Sequence, residues 1–360
     1  MSLVLPRIPE LDSQAAAAAR ARQATLTKPP GSMGRLEDLA VWYAAVRGTF
    51  PVPVPAAAEL FVFAADHGVA AEGVSAYPAT VTAAMLANFR AGGAAVNVLA
   101  RQCGLTVTAV DVGVATEVPR WSRAAALGGA GFVDARVRAG TANLRHQPAM
   151  TLGEAERAMG VGLRMADAAI GRGCEILVGG DMGIANTTAA AGLLCAFGGD
   201  DPRDIVGRGT GIDDAGLARK AAVIRDALAL HRPDPSRVLE TLAALGGLEI
   251  AALAGLMWGG AARRVPVVVD GFIAGAAALV ATRLDPKVRP FLLLSHLSAE
   301  RGARRLCDLL GAPGPLLDLS LRLGEGTGAA LVVPLLRTAV ALQTQMATFA
   351  EAAVPNRPTD

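Results

Sequence analysis

Ile176-Leu-Val-Gly-Gly-Asp-Met-Gly-Ile-Ala-Asn-Thr-Thr188 is the stretch of sequence that decides the fold. The apolar run 176–178 predicts a buried strand, and the alanine-rich segment that begins at Asn186 predicts a helix. Glycines between them allow another group to approach the backbone closely. This order is typical of a phosphate-binding loop, because unpaired N–H groups at a helix start attract anions.

The loop lacks the lysine that a nucleoside triphosphate site requires. The chain contains only three lysines, Lys28, Lys220 and Lys287, and none follows such a glycine-rich turn. The dinucleotide pattern G-x-G-x-x-G is also missing, which disfavours NAD. The sequence therefore predicts a site for one phosphate, in which Asp181 faces a hydroxyl, a cation or a proton. The alternative is a simple turn between strand and helix, with Asn186 or Thr187 as the helix N-cap.

Composition excludes several other classes of protein. The chain has 360 residues, of which 52% are hydrophobic and 18% charged, enough for a large core. A net charge of +2 gives no reason to expect a nucleic-acid partner. The longest uncharged stretches are short or interrupted, and the N-terminus lacks an apolar signal segment, so we expect neither a membrane span nor secretion. Four cysteines without a C-x-x-C pair fit a reduced, cytoplasmic setting.

Short apolar runs recur along the chain, each followed by small or acidic residues and then a helical pattern. They lie at residues 60–64, 107–110, 176–178, 267–269 and 291–294. Repeated strand–helix units predict an α/β fold with a Rossmann-like, doubly wound parallel sheet. Ligands of such sheets bind beyond the carboxyl ends of the strands.

The two ends of the chain differ from this pattern. Residues 12–24 and 37–46 predict helices, and a proline-rich run at 51–55 separates them from the first strand. Residues 329–354 predict one long helix with an apolar face. We therefore expect a small helical domain built from residues 1–55 and 335–360, beside a large α/β catalytic domain at residues 56–334.

Glu325 is the strongest candidate for a general base. It stands between two glycines in Leu323-Gly-Glu-Gly-Thr-Gly328, at the head of an apolar helix, where a ligand can approach its carboxylate. The alternative is an acid in the first helical turn that stabilises the helix dipole.

Two further loops are candidates for phosphate or ribose contacts. In Val206-Gly-Arg-Gly-Thr-Gly-Ile-Asp-Asp214, backbone N–H groups and Arg208 could close over a phosphate, while Asp213 or Asp214 caps the helix that carries Lys220. Ser298 is a candidate N-cap after the last strand. Either segment could instead be purely structural, as a flexible connection or a cap.

Asp66-His67 follows the first strand and predicts an active-site loop. As a metal ligand His67 is less convincing than as a histidine with a structural partner, because His146, His231 and His296 lack ligand spacing. We predict no metal site.

Together these segments resemble the nicotinate-nucleotide:dimethylbenzimidazole phosphoribosyltransferase family, over nearly the whole chain and in order. The motifs that carry the resemblance are Thr27-Lys-Pro-Pro-Gly-Ser-Met-Gly-Arg-Leu-Glu37, Ala65-Asp-His-Gly-Val69, Glu72-Gly-Val-Ser-Ala-Tyr-Pro78, Gly180-Asp-Met-Gly-Ile-Ala-Asn-Thr-Thr188, Gly207-Arg-Gly-Thr-Gly211 with Lys220, Leu245-Gly-Gly-Leu-Glu-Ile250, Ser295-His-Leu-Ser-Ala-Glu300 and Leu323-Gly-Glu-Gly-Thr-Gly-Ala329.

The resemblance implies a Rossmann-like sheet, a small domain from both termini and a homodimer with active sites near the subunit interface. It implies that Glu325 is the catalytic base, that Asp181 is the acid of the phosphate loop, and that Lys220 takes part. Two residues depart from the family pattern. Asp181 replaces a glutamate, and Val81-Thr-Ala-Ala-Met85 lacks the usual glutamine near the base pocket.

The expected substrates are nicotinate mononucleotide and a benzimidazole-type base, with no cofactor, because the pyridinium leaves as a neutral ring. The expected phosphate and ribose contacts are Gly180, Gly183, Asn186, Thr187, Thr188, Arg208, Gly209, Thr210, Asp270 and Ser298. The expected base pocket contains Asp66, Ser75, Tyr77, Met85 and Leu323. The alternatives are a nucleoside-phosphate hydrolase or phosphorylase, and a nucleotide-binding regulatory or carrier protein.

Overall fold

Six parallel strands form the centre of the molecule in a computed structural model that describes residues 3–116, 131–209, 211–311 and 314–355. The strands are β1 (Ala58–Ala65), β2 (Thr106–Gly113), β3 (Gly131–Asp134), β4 (Ile176–Met182), β5 (Val267–Val269) and β6 (Leu292–Leu294). Their order is β3-β2-β1-β4-β5-β6, and every described pair is parallel. The predicted parallel α/β sheet is confirmed, although β3 was not predicted.

Helices cover both faces of this sheet. In the described residues they are α1 (Ser13–Gln23), α2 (Arg35–Arg47), α3 (Thr80–Ala91), α4 (Ala95–Cys103), α5 (Leu152–Gly171), α6 (Asn186–Gly198), α7 (Pro202–Ile205), α8 (Asp214–His231), α9 (Val238–Leu245), α10 (Leu248–Ala262), α11 (Phe272–Leu284), α12 (Ala303–Leu310) and α13 (Thr327–Gln345).

The side chains of β1 alternate between two hydrophobic clusters. Phe61 and Phe63 join the cluster formed with helices such as α5, α6 and α10, whereas Leu60 and Val62 join the one formed with α1, α2 and α13. Every residue of β1 is buried. A strand that is buried on both faces reads as a continuous apolar run, which is why the sequence signal was clear.

The C-terminal helix is shorter than predicted. α13 ends at Gln345 rather than near 354. The chain then pairs with the segment after α1: the N–H of Thr27 donates to the carbonyl of Ala347 (3.1 Å), and that of Phe349 donates to the carbonyl of Thr25 (3.0 Å). These bonds satisfy backbone groups that a continued helix would have used internally, so the two ends of the chain are tied together.

Among the described helices, α13 is the one that is long and apolar enough to cross a membrane. However, 56% of its most apolar window is buried inside the protein, and it packs against α2, α4 and the sheet. Its apolar composition is accounted for by this packing. The predicted domain boundary at residue 334 falls within α13, and α1 and α2 share one hydrophobic cluster with the sheet. The two-domain division stays a prediction.

β4 extends further than predicted, through Gly180 and Asp181 to Met182. Val62 pairs with Gly180 and Phe63 with Asp181, so the parallel ladder continues through the glycines. Asp181 therefore lies on the strand and not in a loop after it. β1 and β4 are also the neighbours at which the strand order reverses, and a crevice at this switch point is the usual ligand site of such sheets.

Two helices cross at glycines behind this sheet. A Cβ at Gly162 of α5 would lie 1.8 Å from the carbonyl oxygen of Ala252 in α10, whereas a Cβ at Gly160 would meet only ordinary contacts. We predict that Gly162→Ala lowers the free energy of unfolding by about 1–3 kcal/mol, because the helices must separate. Gly160→Ala, the matched control, should be neutral or stabilise by up to about 1 kcal/mol. Urea unfolding monitored by circular dichroism checks both, and equal effects would contradict the close crossing.

Candidate active site

Glu325 lies in a turn of three consecutive residues with left-handed backbone conformation. The φ angles are +83° at Gly324, +64° at Glu325 and +88° at Gly326, and α13 begins immediately afterwards. A left-handed conformation costs a residue with a Cβ about 1–2 kcal/mol, so Glu325 is held in place by its surroundings. The carboxylate is buried, and its Oε2 accepts a long hydrogen bond (3.4 Å) from the N–H of Val96 at the start of α4.

Asp270, directly after β5, holds this turn. Its Oδ2 accepts from the N–H of Gly326 (3.2 Å) and its Oδ1 from the N–H of Ala329 (3.0 Å). Both oxygens thus bind main-chain groups at the start of α13, in the manner of a helix cap. The structure places Asp270 where it positions Glu325, rather than with its carboxylate free for a ribose.

Other parts of the main chain pack closely against the Cα atoms of Gly180 and Gly183. A Cβ at Gly180 would lie 2.3 Å from the carbonyl carbon of Glu325, and one at Gly183 would lie 2.6 Å from the carbonyl oxygen of Ala65. The glycines of the opening motif are therefore required by close approach of the protein's own main chain. The predicted contacts of Gly180 and Gly183 with phosphate or ribose stay a prediction.

Asp181 lies beside the Glu325 turn. The N–H of Glu325 donates to the main-chain carbonyl of Asp181 (3.2 Å), and a Cβ at Gly324 would lie 3.1 Å from Oδ2 of Asp181. The amide of Asn186 donates to the same Oδ2 (2.9 Å). The predicted N-cap is wrong: Ala185, with φ +75°, caps α6, and the side chain of Asn186 is engaged with Asp181.

Burial and mutual repulsion shift the pKa values of these carboxyl groups. Burial, followed by the charges of Asp270 and Glu249, raises the pKa of Asp181 well above its usual range. Burial raises the pKa of Asp270 to about 7, against the main-chain N–H groups that lower it. Burial also raises the pKa of Glu325, opposed by the N–H of Val96. A carboxylate whose pKa is shifted towards neutrality is suited to general base catalysis.

Lys220 of α8 forms a second cluster with Thr187 and the 207–211 loop. Its ammonium group donates to Oγ1 of Thr187 (2.7 Å) and to the carbonyl of Gly207 (3.3 Å). A Cβ at Gly209 would lie 3.6 Å from the same nitrogen. Burial lowers the pKa of Lys220 to about 8. An ammonium group has three N–H donors, and the described residues accept two of them, which leaves one available for an anion.

The other predicted residues of this loop have different positions. Arg208 donates to the carbonyl of Ile212 (3.0 Å) and to the carboxylate of Asp214, so its guanidinium is turned back onto its own loop. Asp213 caps α8, as predicted, by accepting from the N–H of Gly216 (2.8 Å). Thr188 is fully buried in α6, and Thr210 lies outside the described residues.

The two clusters are connected. Arg322, which was not predicted from sequence, donates to the carbonyl of Gly209 (2.7 Å) from the segment that leads into the Glu325 turn. The N–H of Ala299 donates to the carbonyl of Leu321 (2.9 Å), which joins the Ser298 loop to the same segment. The residues proposed to bind phosphate and the candidate general base Glu325 therefore belong to one continuous set of loops at the carboxyl edge of the sheet.

Ser298 is not the N-cap of α12, which begins at Ala303. Its hydroxyl instead accepts from the N–H of Glu300 (3.2 Å) within a turn. A small cavity of about 20 Å³ lies beside Ser298, Asp270 and His296.

The predicted base-pocket residues do not form a closed pocket within the one chain. The side chains of Tyr77 and Leu323 are 54% and 58% exposed, and Met85 is partly buried against the α13 face of the sheet. The hydroxyl of Ser75 accepts from the N–H of Tyr77 (3.3 Å). Asp66 is buried, and its Oδ2 accepts a hydrogen bond from the N–H of Ala115 (2.8 Å). This bond stabilises the segment directly after β2.

His67 has a buried partner that the sequence did not indicate. Its Nε2 lies 2.7 Å from Oε1 of Glu249, and both side chains are fully buried. Burial disfavours the imidazolium, but the adjacent Glu249 carboxylate outweighs this and raises the pKa of His67. The prediction of a histidine with a structural partner is confirmed. In the described parts of the chain, no group of three or more His, Cys, Asp or Glu side chains is arranged to hold a metal.

Three contacts of the site were missed from sequence: the N–H of Val96, the guanidinium of Arg322, and the carboxylate of Glu300, whose buried Oε2 lies against Gly207. The signal for Val96 was present, because Gly92-Gly93-Ala94 before α4 is another glycine-rich helix start. Glu300 ends the motif that was selected for Ser298, and Arg322 directly precedes the motif that was selected for Glu325. Their contacts depend on tertiary structure.

The role of Asp270 leads to a stability prediction. In Asp270→Asn the amide nitrogen faces one of two main-chain donors, which leaves an N–H group without an acceptor. We expect the free energy of unfolding at pH 8 to fall by about 1–3 kcal/mol. Asp308→Asn, on the exposed side of α12, should change it by less than about 0.5 kcal/mol. An Asp270→Asn protein as stable as the wild type would contradict the capping role.

The chain is similar to known proteins over most of its length. Residues 8–354 match the model of a protein family described as phosphoribosyltransferase. The nicotinate-nucleotide–dimethylbenzimidazole phosphoribosyltransferase of Roseiflexus sp. (strain RS-1) is 50% identical over 357 residues, 99% of this chain and 98% of that protein. The enzyme of the same name from Ralstonia nicotianae is 51% identical over 347 residues, 96% of each chain.

A solved structure is also similar. The crystal structure of the nicotinate-nucleotide–dimethylbenzimidazole phosphoribosyltransferase of Thermus thermophilus superposes with a TM-score of 0.88 at 45% identity, covering 96% of this chain and 100% of that one. A family match and full-length relatives at this identity leave no large segment of the chain unaccounted for. The protein therefore belongs to the phosphoribosyltransferase family.

Proposed function

We propose that this protein transfers the 5-phosphoribosyl group of nicotinate mononucleotide to 5,6-dimethylbenzimidazole or a related base. The products are α-ribazole 5′-phosphate and nicotinate, and the reaction belongs to cobalamin biosynthesis. The observation that carries the proposal is the connection of a buried lysine cluster to a buried, strained glutamate through Arg322 and Gly209. The names of the full-length relatives support the same substrates.

The lysine cluster supplies a site for the 5′-phosphate. Lys220 contributes the positive charge, and the hydroxyl of Thr187 and the glycine-rich 207–211 loop surround it. One cation and neutral donors suit a single phosphate group. Binding the phosphate orients the ribose. Such positioning lowers the activation barrier, because a substrate that is already oriented loses little further entropy on reaching the transition state.

Glu325 supplies the base. The free nitrogen of the incoming benzimidazole attacks the anomeric carbon of the nucleotide, and the bond from that carbon to the pyridinium nitrogen breaks. Nicotinate leaves as a neutral ring, and the attached benzimidazole loses its N–H proton to the Glu325 carboxylate. Attack from the face opposite the leaving group converts a β-nucleotide into an α-nucleotide.

Asp181 has a different role from Glu325. Burial and the neighbouring carboxylates raise its pKa well above the usual range, which favours its protonated form, and a protonated carboxyl group can donate a hydrogen bond. Its shorter side chain, compared with the glutamate of the family pattern, is packed against Gly324. Asp181 thus supports the turn that holds Glu325.

The exposed apolar side chains near this edge support a homodimer. Tyr77, Leu319 and Leu323 are each more than half exposed. A second copy of the chain that covers them would complete the wall of the base site, in agreement with the homodimer that the resemblance implies. Sedimentation velocity should then give a mass of twice 36.6 kDa at micromolar concentration, and a mass of 36.6 kDa would contradict the dimer. A cytoplasmic location stays a prediction from the cysteine pattern.

The direct test is incubation with nicotinate mononucleotide and a panel of benzimidazoles, adenine and phenols, followed by mass spectrometry. We expect an α-nucleotide with a benzimidazole. Glu325→Gln should lower kcat about 10²- to 10⁴-fold, because proton transfer is lost, while calorimetric affinity for nicotinate mononucleotide stays within about twofold. Glu240→Gln, on the exposed surface of α9, is the control and should retain full activity.

Two outcomes would contradict the proposal. Absence of any α-nucleotide at saturating substrates refutes the transferase assignment, and nicotinate release without an added base indicates a hydrolase or phosphorylase. Unchanged turnover in Glu325→Gln refutes the base assignment alone.

A further inference from the structure

Lys220 is unusual among the cations of this chain. Lysine and arginine together number 34, yet only three are lysines. Lys220 is the one at the centre of the phosphate cluster, and it is 1% exposed. An arginine keeps its charge in almost any protein environment, whereas a buried lysine can lose it. The charge at the phosphate site therefore depends on what surrounds Lys220.

Glu300 and Lys220 both lie against Gly207. The ammonium group of Lys220 donates to the carbonyl of Gly207 (3.3 Å). A Cβ at Gly207 would lie 1.9 Å from Oε2 of Glu300, so this carboxylate is packed directly on the Cα of the same residue. A cation and an anion thus both lie against one residue of the glycine-rich loop.

The Glu300 carboxylate has few other ways to be stabilised. Glu300 is 8% exposed, and its Oε2 is buried without a hydrogen-bond partner among the described residues. Its main chain is fixed by Ser298 and Ala303. The neighbouring Arg301 is directed to Asp204, 4.0 Å away. A buried carboxylate without donors is costly unless an opposite charge lies nearby, and Lys220 provides that charge.

The groups around Lys220 leave Glu300 as its anionic neighbour. α6 contributes the neutral hydroxyl of Thr187, and the 207–211 loop contributes the carbonyl of Gly207. The remaining charged groups of that loop and of the start of α8 are engaged elsewhere: Arg208 is paired with Asp214, and Asp213 caps its own helix. Burial lowers the pKa of Lys220 to about 8, and Glu300 is the group that opposes this shift.

We propose that Glu300 is a positioning residue of the phosphate site, which keeps Lys220 charged so that Lys220 binds the nucleotide phosphate at neutral pH. This rests on the proposed function, in which Lys220 holds the 5′-phosphate. Glu300 acts through Lys220 and does not touch the reacting atoms. It also explains why a carboxylate is tolerated beside a phosphate site, since without it the buried cation of the site would be partly neutral.

The test is the pH dependence of kcat/KM for nicotinate mononucleotide. In the wild type it should fall above about pH 8, because Lys220 loses its proton. In Glu300→Gln this fall should begin about one pH unit lower, since the stabilising charge is gone. At pH 7.5 the loss should be in KM for the nucleotide, while kcat and KM for the base stay within about twofold.

Two further variants separate charge from shape. We call the fall of kcat/KM at high pH the alkaline limb of the profile. Glu300→Asp keeps the carboxylate, so the pH at which its alkaline limb begins should stay within about 0.3 pH units of the wild-type value. Lys220→Arg keeps its charge at all accessible pH values, so the limb should disappear. In the Lys220→Arg background, Glu300→Gln should cause no further change in the shape of the pH profile. This double variant distinguishes an effect exerted through Lys220 from any other effect of Glu300.

Several results would overturn the proposal. They are an unmoved alkaline limb in Glu300→Gln, equal losses at every pH, and a limb that persists in Lys220→Arg. If Glu300→Gln does not fold, as judged by thermal melting, the persistence of the limb in Lys220→Arg decides the matter. If the wild type makes no α-nucleotide, the proposed function fails. The same pH series is then followed by calorimetric binding of nicotinate mononucleotide, which needs no turnover.

Discussion

The arrangement of the site depends on the cap that Asp270 places on the first turn of α13. Its two carboxylate oxygens accept from the N–H groups of Gly326 and Ala329, and thereby fix the left-handed turn that contains Glu325. Gly180 of β4 allows that turn to lie directly on the sheet. A long, flexible glutamate is thus held by main-chain geometry, which suits a base that must meet a proton at one position.

The same arrangement concentrates carboxyl groups in a buried space. Asp181, Asp270 and Glu325 each have a raised pKa, chiefly because burial disfavours their charged forms. The positive charge of Lys220 is kept apart, in a separate cluster joined to the acids through Arg322. The site thus has a cationic half and an acidic half, which in the proposed function bind the phosphate and transfer the proton.

Much of this could be predicted from sequence, because strands buried on both faces and glycine-rich turns leave strong local patterns. Five of the six described strands and the prominence of Asp181 and Glu325 were indicated in this way, whereas Lys220 and Asp270 were implied by the family resemblance. The packing partners of the glycines were not, since Gly180 and Gly183 accommodate main chain from segments that are distant in sequence. The partnership of His67 with Glu249 was equally invisible, because 182 residues separate them and no local periodicity connects them.

The central claim is that the Lys220 cluster and the Glu325 turn serve one bound nucleotide. A crystal structure of Glu325→Gln with nicotinate mononucleotide and 5,6-dimethylbenzimidazole tests it most directly. We expect the 5′-phosphate within hydrogen-bond distance of Nζ of Lys220, and a ring nitrogen of the base within hydrogen-bond distance of the side chain at 325. A phosphate bound away from Lys220, or a base that does not reach residue 325, would contradict it.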